Sequence, residues 1–354
     1  MATEQIPQTM FAWRKHRGNP EPVWEEVPVP EVTPTGVLCQ MIASGVCRSD
    51  YSQLTIETQP AWFKDKWTLY KGHEGCGQIV KLGAQVKNFK VGDVVAMFSV
   101  PGCGASDCPE CSRNLPQICE RCHHSGIGED GFYARYAAID QRALVKVPDG
   151  VTPSEAAVAC DAVTTAYHAV KRRAKVKASD TVFLFGLGGL GFNALQIIHG
   201  IGARVIVSDI RDDLLDEAVQ LGIPRSDVVP VGKSPPAWIE ENGLYGKVDI
   251  VLDFVGKHQT FEDAQHIVRR AGKIVNVGSM DQQNIVHMKI GTRKRLSFKF
   301  SYGGQVSDLE EVLQLIAKGV IKPLVGPGKL EDFPTVLNDL VAGKIKGRVA
   351  LLQE

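Results

Sequence analysis

The chain has 354 residues, which is longer than a single hydrophobic core usually grows, so we expect two domains. Its 40 basic and 40 acidic side chains cancel without long runs of one sign, which argues against nucleic acid or an anionic membrane as a partner. No apolar run approaches the roughly 20 residues of a spanning helix, and the N-terminus lacks a signal-peptide core. We therefore expect a soluble, cytoplasmic protein that acts on small molecules.

The first part of the chain, residues 1–157, is rich in glycine and proline. Short runs typical of β-strands occur at 36–42, 77–82 and 93–98, and helical patterns are weak. This pattern predicts an irregular, mainly-β domain.

A cluster of cysteines lies within this domain, at about 101–123. Five of the nine cysteines of the chain fall here, namely Cys103, Cys108, Cys111, Cys119 and Cys122. In a chain of this size such crowding favours a metal site over disulfides. A nucleic-acid-binding zinc ribbon is not expected, because no basic and aromatic surface accompanies the cysteines.

The pattern changes near Thr152 and Pro153, where a run of small and apolar residues predicts the start of a helix. Strand-like runs then alternate with helical patterns, at 181–185, 204–208, 228–231, 249–255, 273–277 and 296–301. This alternation predicts an α/β domain over 158–304 with a doubly wound parallel sheet. The last segment, 305–354, combines an amphipathic helix with a strand, and we expect it to return to the first domain.

A glycine-rich turn follows the predicted strand at 181–185. The turn consists of Gly186, Leu187, Gly188, Gly189, Leu190 and Gly191. Gly186 permits a tight turn, Gly188 lets a pyrophosphate approach the backbone, and Gly191 allows close packing of helix and strand. Because the helix N-terminus also attracts negative charge, the turn predicts a dinucleotide site.

An acidic residue, Asp209, ends the next predicted strand. A carboxylate about 20 residues after the glycines binds the ribose hydroxyls and repels a 2′-phosphate, which favours NAD over NADP. Arg211 lies close enough to offer a phosphate contact and stands against that preference. Val255 and Val277, which end two later strands, complete the predicted cofactor site.

Two further segments, GVCRSD at 45–50 and GHEGCG at 72–77, resemble the catalytic-zinc motifs of zinc-dependent medium-chain alcohol dehydrogenases. The resemblance covers nearly the whole chain, since VKNFKVGDVVAM, the cysteine cluster, DGFYARY, GLGGLG and GRVAL follow in the order of that family. It implies a GroES-like catalytic domain, a Rossmann domain and reversible hydride transfer between NAD and a primary or secondary alcohol. The product would be an aldehyde or a ketone.

The resemblance also implies three protein ligands for a catalytic zinc, with a fourth position left open. Cys47 and His73 are two of them. The third lies six residues before an aromatic in the family, and counting back from Tyr167 gives Asp161 rather than Cys160. Most relatives carry cysteine there, whereas some secondary-alcohol dehydrogenases carry aspartate. We therefore expect Asp161 to bind zinc and Cys160 to lie in the core.

Other residues near the metal have roles that the resemblance implies. Asp50 is expected to hold the ring N–H of His73, and Glu74 to lie beside the metal and to move onto it when substrate leaves. Glu74 is thus both a catalytic and a metal residue in this prediction.

Proton transfer and cofactor binding involve a third group of residues. Ser49 is expected to take the alcohol proton, but where many relatives continue with histidine this chain has Ser52. The relay must then end elsewhere, through Ser52 or Tyr51. Arg48 and Arg348 match positions that bind the cofactor pyrophosphate.

A structural zinc is the second metal that the resemblance implies, which makes two zinc ions per subunit. The family spacing fits Cys108, Cys111 and Cys119 but finds Ala105 in place of the first cysteine. Cys103 supplies that ligand across a two-residue insertion, and a rival set uses Cys122 instead. We favour Cys103.

Substrate identity does not follow from the sequence. Trp62, Phe63, Trp67 and Phe98 either line the pocket or pack the domain and a subunit interface. The resemblance implies a homo-oligomer, with a tetramer favoured over a dimer. Two alternatives remain: a zinc-free, NADPH-dependent quinone or enone reductase of the same fold, and a non-enzymatic dinucleotide-binding protein.

Overall fold

In a computed structural model of the protein, residues 5–16, 18–55, 69–122 and 124–353 are described. The chain divides into two compact units. Unit 1 comprises Met1–Asp161, Gln305–Ala317 and Pro323–Glu354, and unit 2 comprises Ala162–Gly304 and Lys318–Lys322.

Unit 1 is mainly β-structure. Its described strands are β1 (Thr9–Lys15), β2 (Val23–Pro28), β3 (Gly36–Gly45), β4 (Leu69–Tyr70), β5 (Glu74–Leu82), β6 (Val94–Phe98), β7 (Tyr136–Asp140), β8 (Leu144–Lys146), β14 (Val325–Lys329) and β15 (Arg348–Leu352). One sheet has the order β2-β1-β4, and a seven-stranded sheet has the order β14-β15-β3-β5-β6-β8 with β7 paired to β3. The C-terminal strand thus joins β3, as the last segment of the sequence predicts.

Within its described residues, unit 1 also contains four α-helices. They are α1 (Arg48–Thr55), α2 (Pro153–Val158), α9 (Val306–Ala317) and α10 (Phe333–Val341). The predicted helix start at Pro153 is confirmed, because Thr152 Oγ1 accepts the backbone N–H of Glu155 while the Glu155 carboxylate accepts that of Thr152. A π-helical turn, Ala159–Val163, continues α2 directly.

Unit 2 is an α/β domain. Its strands are β9 (Thr181–Phe185), β10 (Arg204–Ser208), β11 (Val248–Asp253), β12 (Val268–Asn276) and β13 (Ser297–Phe300). Its helices are α3 (Thr164–Tyr167), a π-helical segment (His168–Ala174), α4 (Gly191–Ile201), α5 (Asp212–Gln220), α6 (Pro235–Glu241), α7 (His258–Ile267) and α8 (Met288–Lys294). The strands are all parallel, in the order β10-β9-β11-β12-β13. The predicted fold class, a Rossmann-type parallel sheet together with a GroES-like mainly-β domain, is confirmed.

The predicted strand at 228–231 is wrong. Only a single parallel bridge forms there, between Val228 and Val207. The chain turns at once, since the N–H of Lys233 donates to the carbonyl of Pro230 at 3.1 Å and Gly232 has a φ of 79°. Turn-forming proline and glycine therefore override the β-propensity of the valines.

Candidate active site

The central strands of the seven-stranded sheet bring two predicted ligands together. Cys47 follows the end of β3 and precedes α1, while His73 precedes β5. β3 and β5 are antiparallel with Gly45 opposite Glu74, so both ligands lie at one end of the strand pair. A Cβ atom on Gly45 would lie 1.9 Å from Glu74 Oε2, so only glycine leaves room for that carboxylate.

The third predicted ligand, Asp161, lies in the π-helical turn after α2, and α2 packs on β3 and β5. Isolated π-turns are frequent at functional sites because they shift the direction of one side chain relative to a regular helix. Asp161 Oδ2 is 3.4 Å from Cys47 Sγ and 3.6 Å from His73 Nε2. We call Cys47, His73 and Asp161 the ligand group.

The ligand group fits zinc. Bond lengths of about 2.3 Å to sulfur and 2.0 Å to oxygen or nitrogen put the donors of a tetrahedral ion roughly 3.5 Å apart, close to the separations found here. Within the described residues, donor atoms of these three side chains and of Glu74 all lie within 4.8 Å of one another. Cys47 and His73 are buried, whereas the Asp161 side chain is 22% exposed.

Cys160, the rejected alternative, is directed away from the ligand group. It is 2% exposed, and its Sγ lies 3.4 Å from the carbonyl of Gly75 and 3.3 Å from that of Ala156. Burial raises the pKa of its thiol, so it stays protonated. These contacts are those of a core cysteine.

A buried chain of hydrogen bonds surrounds His73. Its Nδ1 lies 3.2 Å from Asp50 Oδ1, and Asp50 Oδ2 accepts hydrogen bonds from Tyr133 Oη at 2.7 Å and from the N–H of Cys47 at 2.9 Å. Burial disfavours the charge on Asp50, but His73 and these donors outweigh it and hold the pKa of that carboxyl below its ordinary value. Although burial alone would lower it, Asp50 and Asp161 raise the pKa of His73 well above 6.5 in the metal-free protein.

Tyr133 is a residue that sequence reasoning missed. It lies 83 positions from Asp50 in the chain, so no local spacing connects the two. Burial and the Asp50 carboxylate raise the pKa of Tyr133 well above its ordinary value, so its hydroxyl keeps its hydrogen. The sequence indicated Asp50 as the partner of His73, and the motif DGFYARY contains Tyr133, but nothing in that motif connects Tyr133 with Asp50.

Glu74 and Arg348 form a buried ion pair that the sequence also did not indicate. Arg348 Nε lies 3.3 Å from Glu74 Oε1, and Arg348 Nη2 lies 3.2 Å from Cys47 Sγ and 3.7 Å from Asp161 Oδ2. Burial raises the pKa of Glu74 to about 8 despite this guanidinium. Arg348 thus faces the ligand group, and its predicted contact with pyrophosphate stays a prediction.

Ser49 lies beside the ligand group. Its Oγ is 3.0 Å from Cys47 Sγ and 3.3 Å from His73 Nε2, which puts a hydroxyl next to two ligand atoms. Arg48 and Ser52 are exposed on α1. The structure therefore places the Ser49 hydroxyl beside the ligand group, and its role as proton acceptor and the end of the relay stay predictions.

The cysteine cluster forms a second group of donors. Cys103 Sγ is 3.8 Å from Cys111 Sγ, and Cys108 Sγ is 3.6 Å from Cys119 Sγ. A tetrahedral zinc with four bonds of about 2.3 Å to sulfur requires separations near 3.8 Å, so the set fits zinc. Within the described residues, these four sulfurs lie within 4.8 Å of one another, and we call them the cysteine group.

Cys103 reaches the cysteine group because two glycines flank it. Gly102 and Gly104 have φ angles of 74° and 70°, a region that residues with a side chain rarely adopt. The rival ligand, Cys122, is not part of the set of four.

The glycine turn has the form that a dinucleotide requires. Gly186 has a φ of 85°, and a Cβ on Gly191 would lie 1.9 Å from the carbonyl of Gly186. A Cβ on Gly188, by contrast, would meet nothing within 4 Å, so the backbone there is open to a ligand. Gly189 and Leu190 continue from this open point to the N-terminus of α4.

Asp209 lies beside the glycine turn. Its Oδ2 accepts the N–H of Leu187 at 2.6 Å, and its Oδ1 accepts that of Arg211 at 2.9 Å. The guanidinium of Arg211 forms a two-point ion pair with Asp213, at 3.0 and 2.7 Å. A carboxylate thus borders the site, and the nearby cation already has an acidic partner.

Val255 and Val277 lie at the carboxyl ends of β11 and β12. A Cβ on Gly186 would lie 2.7 Å from Val255 Cγ2, and the N–H of Val277 donates to the Asp253 carbonyl at 2.8 Å. Ligands of open α/β sheets bind at the carboxyl ends of strands, where these two residues lie.

Of the aromatic residues predicted to line the pocket or to pack the domain, the structure describes Phe98. Trp62, Phe63 and Trp67 lie outside the described residues. Phe98 is 2% exposed and pairs with Glu74 across β5 and β6, so it packs in the sheet next to the site.

No helix in the described part of the chain has the length and apolar character needed to cross a membrane.

Comparisons with known proteins agree with this site. Residues 33–149 match the family described as alcohol dehydrogenase GroES-like domain, and residues 189–318 match the family described as zinc-binding dehydrogenase. An alcohol dehydrogenase of Geobacillus stearothermophilus is 34% identical over 332 residues, which cover 92% of this chain and 95% of that protein. An acryloyl-coenzyme A reductase of Sulfurisphaera tokodaii is 32% identical over 87% of this chain and 90% of that protein.

A solved structure is also similar to this chain over almost its whole length. Acetophenone reductase from Geotrichum candidum NBRC 4597, in complex with NAD, has a TM-score of 0.87 and 29% identity, with 99% of each chain covered. Together with the ligand group and the glycine turn, these matches support zinc and a dinucleotide as cofactors. The chain belongs to the zinc-type medium-chain alcohol dehydrogenase family and is an oxidoreductase of alcohols and carbonyl compounds.

Proposed function

We propose that this enzyme reversibly oxidises primary or secondary alcohols to aldehydes or ketones with NAD, using a catalytic zinc held by Cys47, His73 and Asp161. The observation that carries the proposal is the spacing of the three donors, 3.4 Å from sulfur to oxygen and 3.6 Å from nitrogen to oxygen, with Asp161 partly exposed. Three ligands with one open side are typical of catalytic zinc, whereas structural sites are closed.

The residues around the proposed zinc site have different roles in the reaction. When bound, zinc supplies Lewis acidity towards the substrate oxygen and makes loss of the hydroxyl proton possible near neutral pH. Ser49 Oγ, beside two of the ligand atoms, accepts that proton while it gives up its own hydroxyl hydrogen to the next member of the relay. Asp50 orients the His73 ring, and the guanidinium of Arg348, which contacts buried Glu74, places a positive charge beside Cys47 and Asp161.

NAD is the proposed dinucleotide. The Asp209 carboxylate at the glycine turn repels a 2′-phosphate, and Asp213 already pairs with the nearby guanidinium of Arg211 that could offset this. The acetophenone reductase of similar structure was solved with NAD, which supports the same choice here.

We further propose a second, structural zinc in the cysteine group, which gives two ions per subunit. Four thiolates leave no open position, so this ion would stabilise the loop at 101–123 without taking part in the reaction. The separations of 3.8 and 3.6 Å between paired sulfurs support this assignment.

Self-association is also part of the proposal. In the described part of unit 2, β13 pairs with β12 alone and forms an edge of the sheet. Aromatic side chains lie exposed on it or directly after it, namely Phe300 at 67% and Tyr302 at 54%. An edge strand with exposed aromatics is suited to pairing with a second copy, and we propose a homo-oligomer, a tetramer rather than a dimer.

Metal analysis combined with a substrate screen tests the proposed function. The protein, as purified and after chelation, is assayed with primary alcohols, secondary alcohols and aryl ketones, each with NAD and NADP. We expect activity with NAD that chelation abolishes and zinc restores. Reduction of an activated double bond with NADPH that is insensitive to chelation would instead favour a zinc-free reductase, an outcome to which the acryloyl-coenzyme A reductase relative gives weight.

A further inference from the structure

The ring of Tyr133 is wedged against the backbone next to a zinc ligand. Tyr133 is fully buried, and its ring packs on Phe333 with 4.5 Å between centroids. A Cβ on Gly72 would lie 2.5 Å from a ring carbon of Tyr133, and Gly72 has a φ of 92°. The residue before His73 is therefore held by the face of this ring, and a side chain larger than hydrogen does not fit there.

The hydroxyl of Tyr133 lies between two acceptors. Its Oη is 2.7 Å from Asp50 Oδ2 and 2.8 Å from the carbonyl of Gly45. A phenol has one hydrogen, and a charged carboxylate attracts it more strongly than a neutral carbonyl does. Asp50 is thus the main acceptor, and a fully buried carboxylate depends strongly on such a donor because no water reaches it.

Asp50 in turn links two zinc ligands. Its Oδ1 faces His73 Nδ1 at 3.2 Å, while its Oδ2 accepts the N–H of Cys47 at 2.9 Å. If the carboxylate rotated, the imidazole would lose its orientation and the loop that carries the thiolate would lose a bond. The group that prevents this rotation controls how well the ligand group is arranged before an ion binds.

We propose that Tyr133 is a positioning residue for the catalytic metal: its hydroxyl fixes Asp50, and Asp50 fixes His73 and Cys47. The inference rests on the proposed zinc site. Loss of a hydrogen-bonding partner behind a ligand typically lowers metal affinity about 10- to 100-fold. Tyr133 contacts Asp50 and not a metal ligand itself, so we expect loss of its hydroxyl to lower zinc affinity about tenfold, the lower end of that range.

The test is the rate at which zinc leaves the intact enzyme. Tyr133→Phe removes the hydroxyl and keeps the ring on Gly72. Tyr136→Phe, the same chemical change at a buried tyrosine three positions on, serves as the matched control. Each protein, loaded with zinc, is mixed with a chelator and a chromophoric zinc indicator, and the two ions are followed separately.

We expect Tyr133→Phe to release one zinc about tenfold faster than wild type and the other at the wild-type rate, with both rates unchanged in Tyr136→Phe. Wild-type rates for both ions in Tyr133→Phe would overturn the inference. So would faster release of both ions together, since that indicates general loosening. If the wild-type protein bound no chelatable zinc at all, the proposed function itself would fail.

A double-mutant cycle separates positioning from packing. If Tyr133 acts through Asp50, then Tyr133→Phe should change zinc release little in an Asp50→Ala background, although it changes it about tenfold in the wild type. Equal effects in both backgrounds would mean that the hydroxyl acts elsewhere, and would overturn the proposed route.

Discussion

The ligand group and the cysteine group lie in the same unit, yet the chain builds them in different ways. The cysteine group takes four identical donors from one short segment, Cys103 to Cys119. The ligand group takes three different donors, from the segment after β3, from the residue before β5 and from a π-helical turn, and two of these residues share a hydrogen-bonded partner in Asp50. A site of the first kind depends on loop conformation, whereas one of the second kind depends on the whole sheet. The two should therefore respond differently to substitution.

The largest expected effect concerns the third ligand. Asp161→Ala should remove the catalytic zinc and nearly all turnover, because two protein ligands do not hold the ion, while the cysteine group keeps its zinc. Cys160→Ala, the neighbouring control, should cost only about 1 kcal/mol of unfolding free energy. Metal content and turnover are measured for both, and for Asp161→Cys, which should retain zinc. Loss of metal from Cys160→Ala but not from Asp161→Ala would show that Cys160, and not Asp161, is the third ligand.

The cysteine group should show the opposite behaviour. Cys103→Ala removes one of four thiolates, so the structural zinc should be lost and the melting temperature should fall, while the catalytic zinc stays bound. Cys122→Ala is the matched control and should keep both ions. Metal content and thermal unfolding report the result, and the reverse pattern would assign the fourth ligand to Cys122.

Acid should release the catalytic ion. Neutral imidazole is the form that binds zinc, and the pKa of His73 in the metal-free protein is raised well above 6.5. Below that raised pKa a proton competes with the ion, so zinc affinity should fall as the pH falls, by up to about tenfold for each pH unit. Competition titrations at several pH values measure this slope.

A variant checks the cause of this pH dependence. Asp50→Asn removes the charge that raises the pKa of His73, so the fall in affinity should begin at lower pH than in the wild type. Zinc affinity that stays flat between pH 6 and pH 8 in the wild type would contradict the prediction.

The smallest expected effect lies outside both metal groups. Asp209→Gly removes the carboxylate at the glycine turn and should shift the ratio of kcat/KM for NAD and NADP about 10- to 100-fold towards NADP, the range of one charged hydrogen bond. Both zinc ions should remain. Steady-state kinetics with each cofactor measure the ratio, with Asp216→Gly as a control on the exposed surface of α5. A wild-type enzyme that already prefers NADP would show that Arg211 matters more than its pairing with Asp213 suggests.

The part of the fold that could be predicted follows from local signals. The alternation of strands and helices predicts the parallel sheet, and Thr152 with Pro153 predicts the start of α2, because capping and periodicity act over a few residues. The wrong prediction of a strand at 228–231 also has a local cause. Pro230 and Gly232 form a turn there, and the β-propensity of two valines does not outweigh it.

By itself, the sequence determined which residue types could bind zinc and a dinucleotide, since short spacings such as those around Gly186 and Cys108 reflect loop geometry that neighbouring residues impose. Only the tertiary structure decided which buried side chains contact these metal-binding residues. Arg348 meets Glu74 because β15 pairs with β3, and Tyr133 meets Asp50 because its ring packs against Gly72. Such contacts join residues that are far apart in the chain, and burial makes each of them decisive because water cannot replace a missing partner.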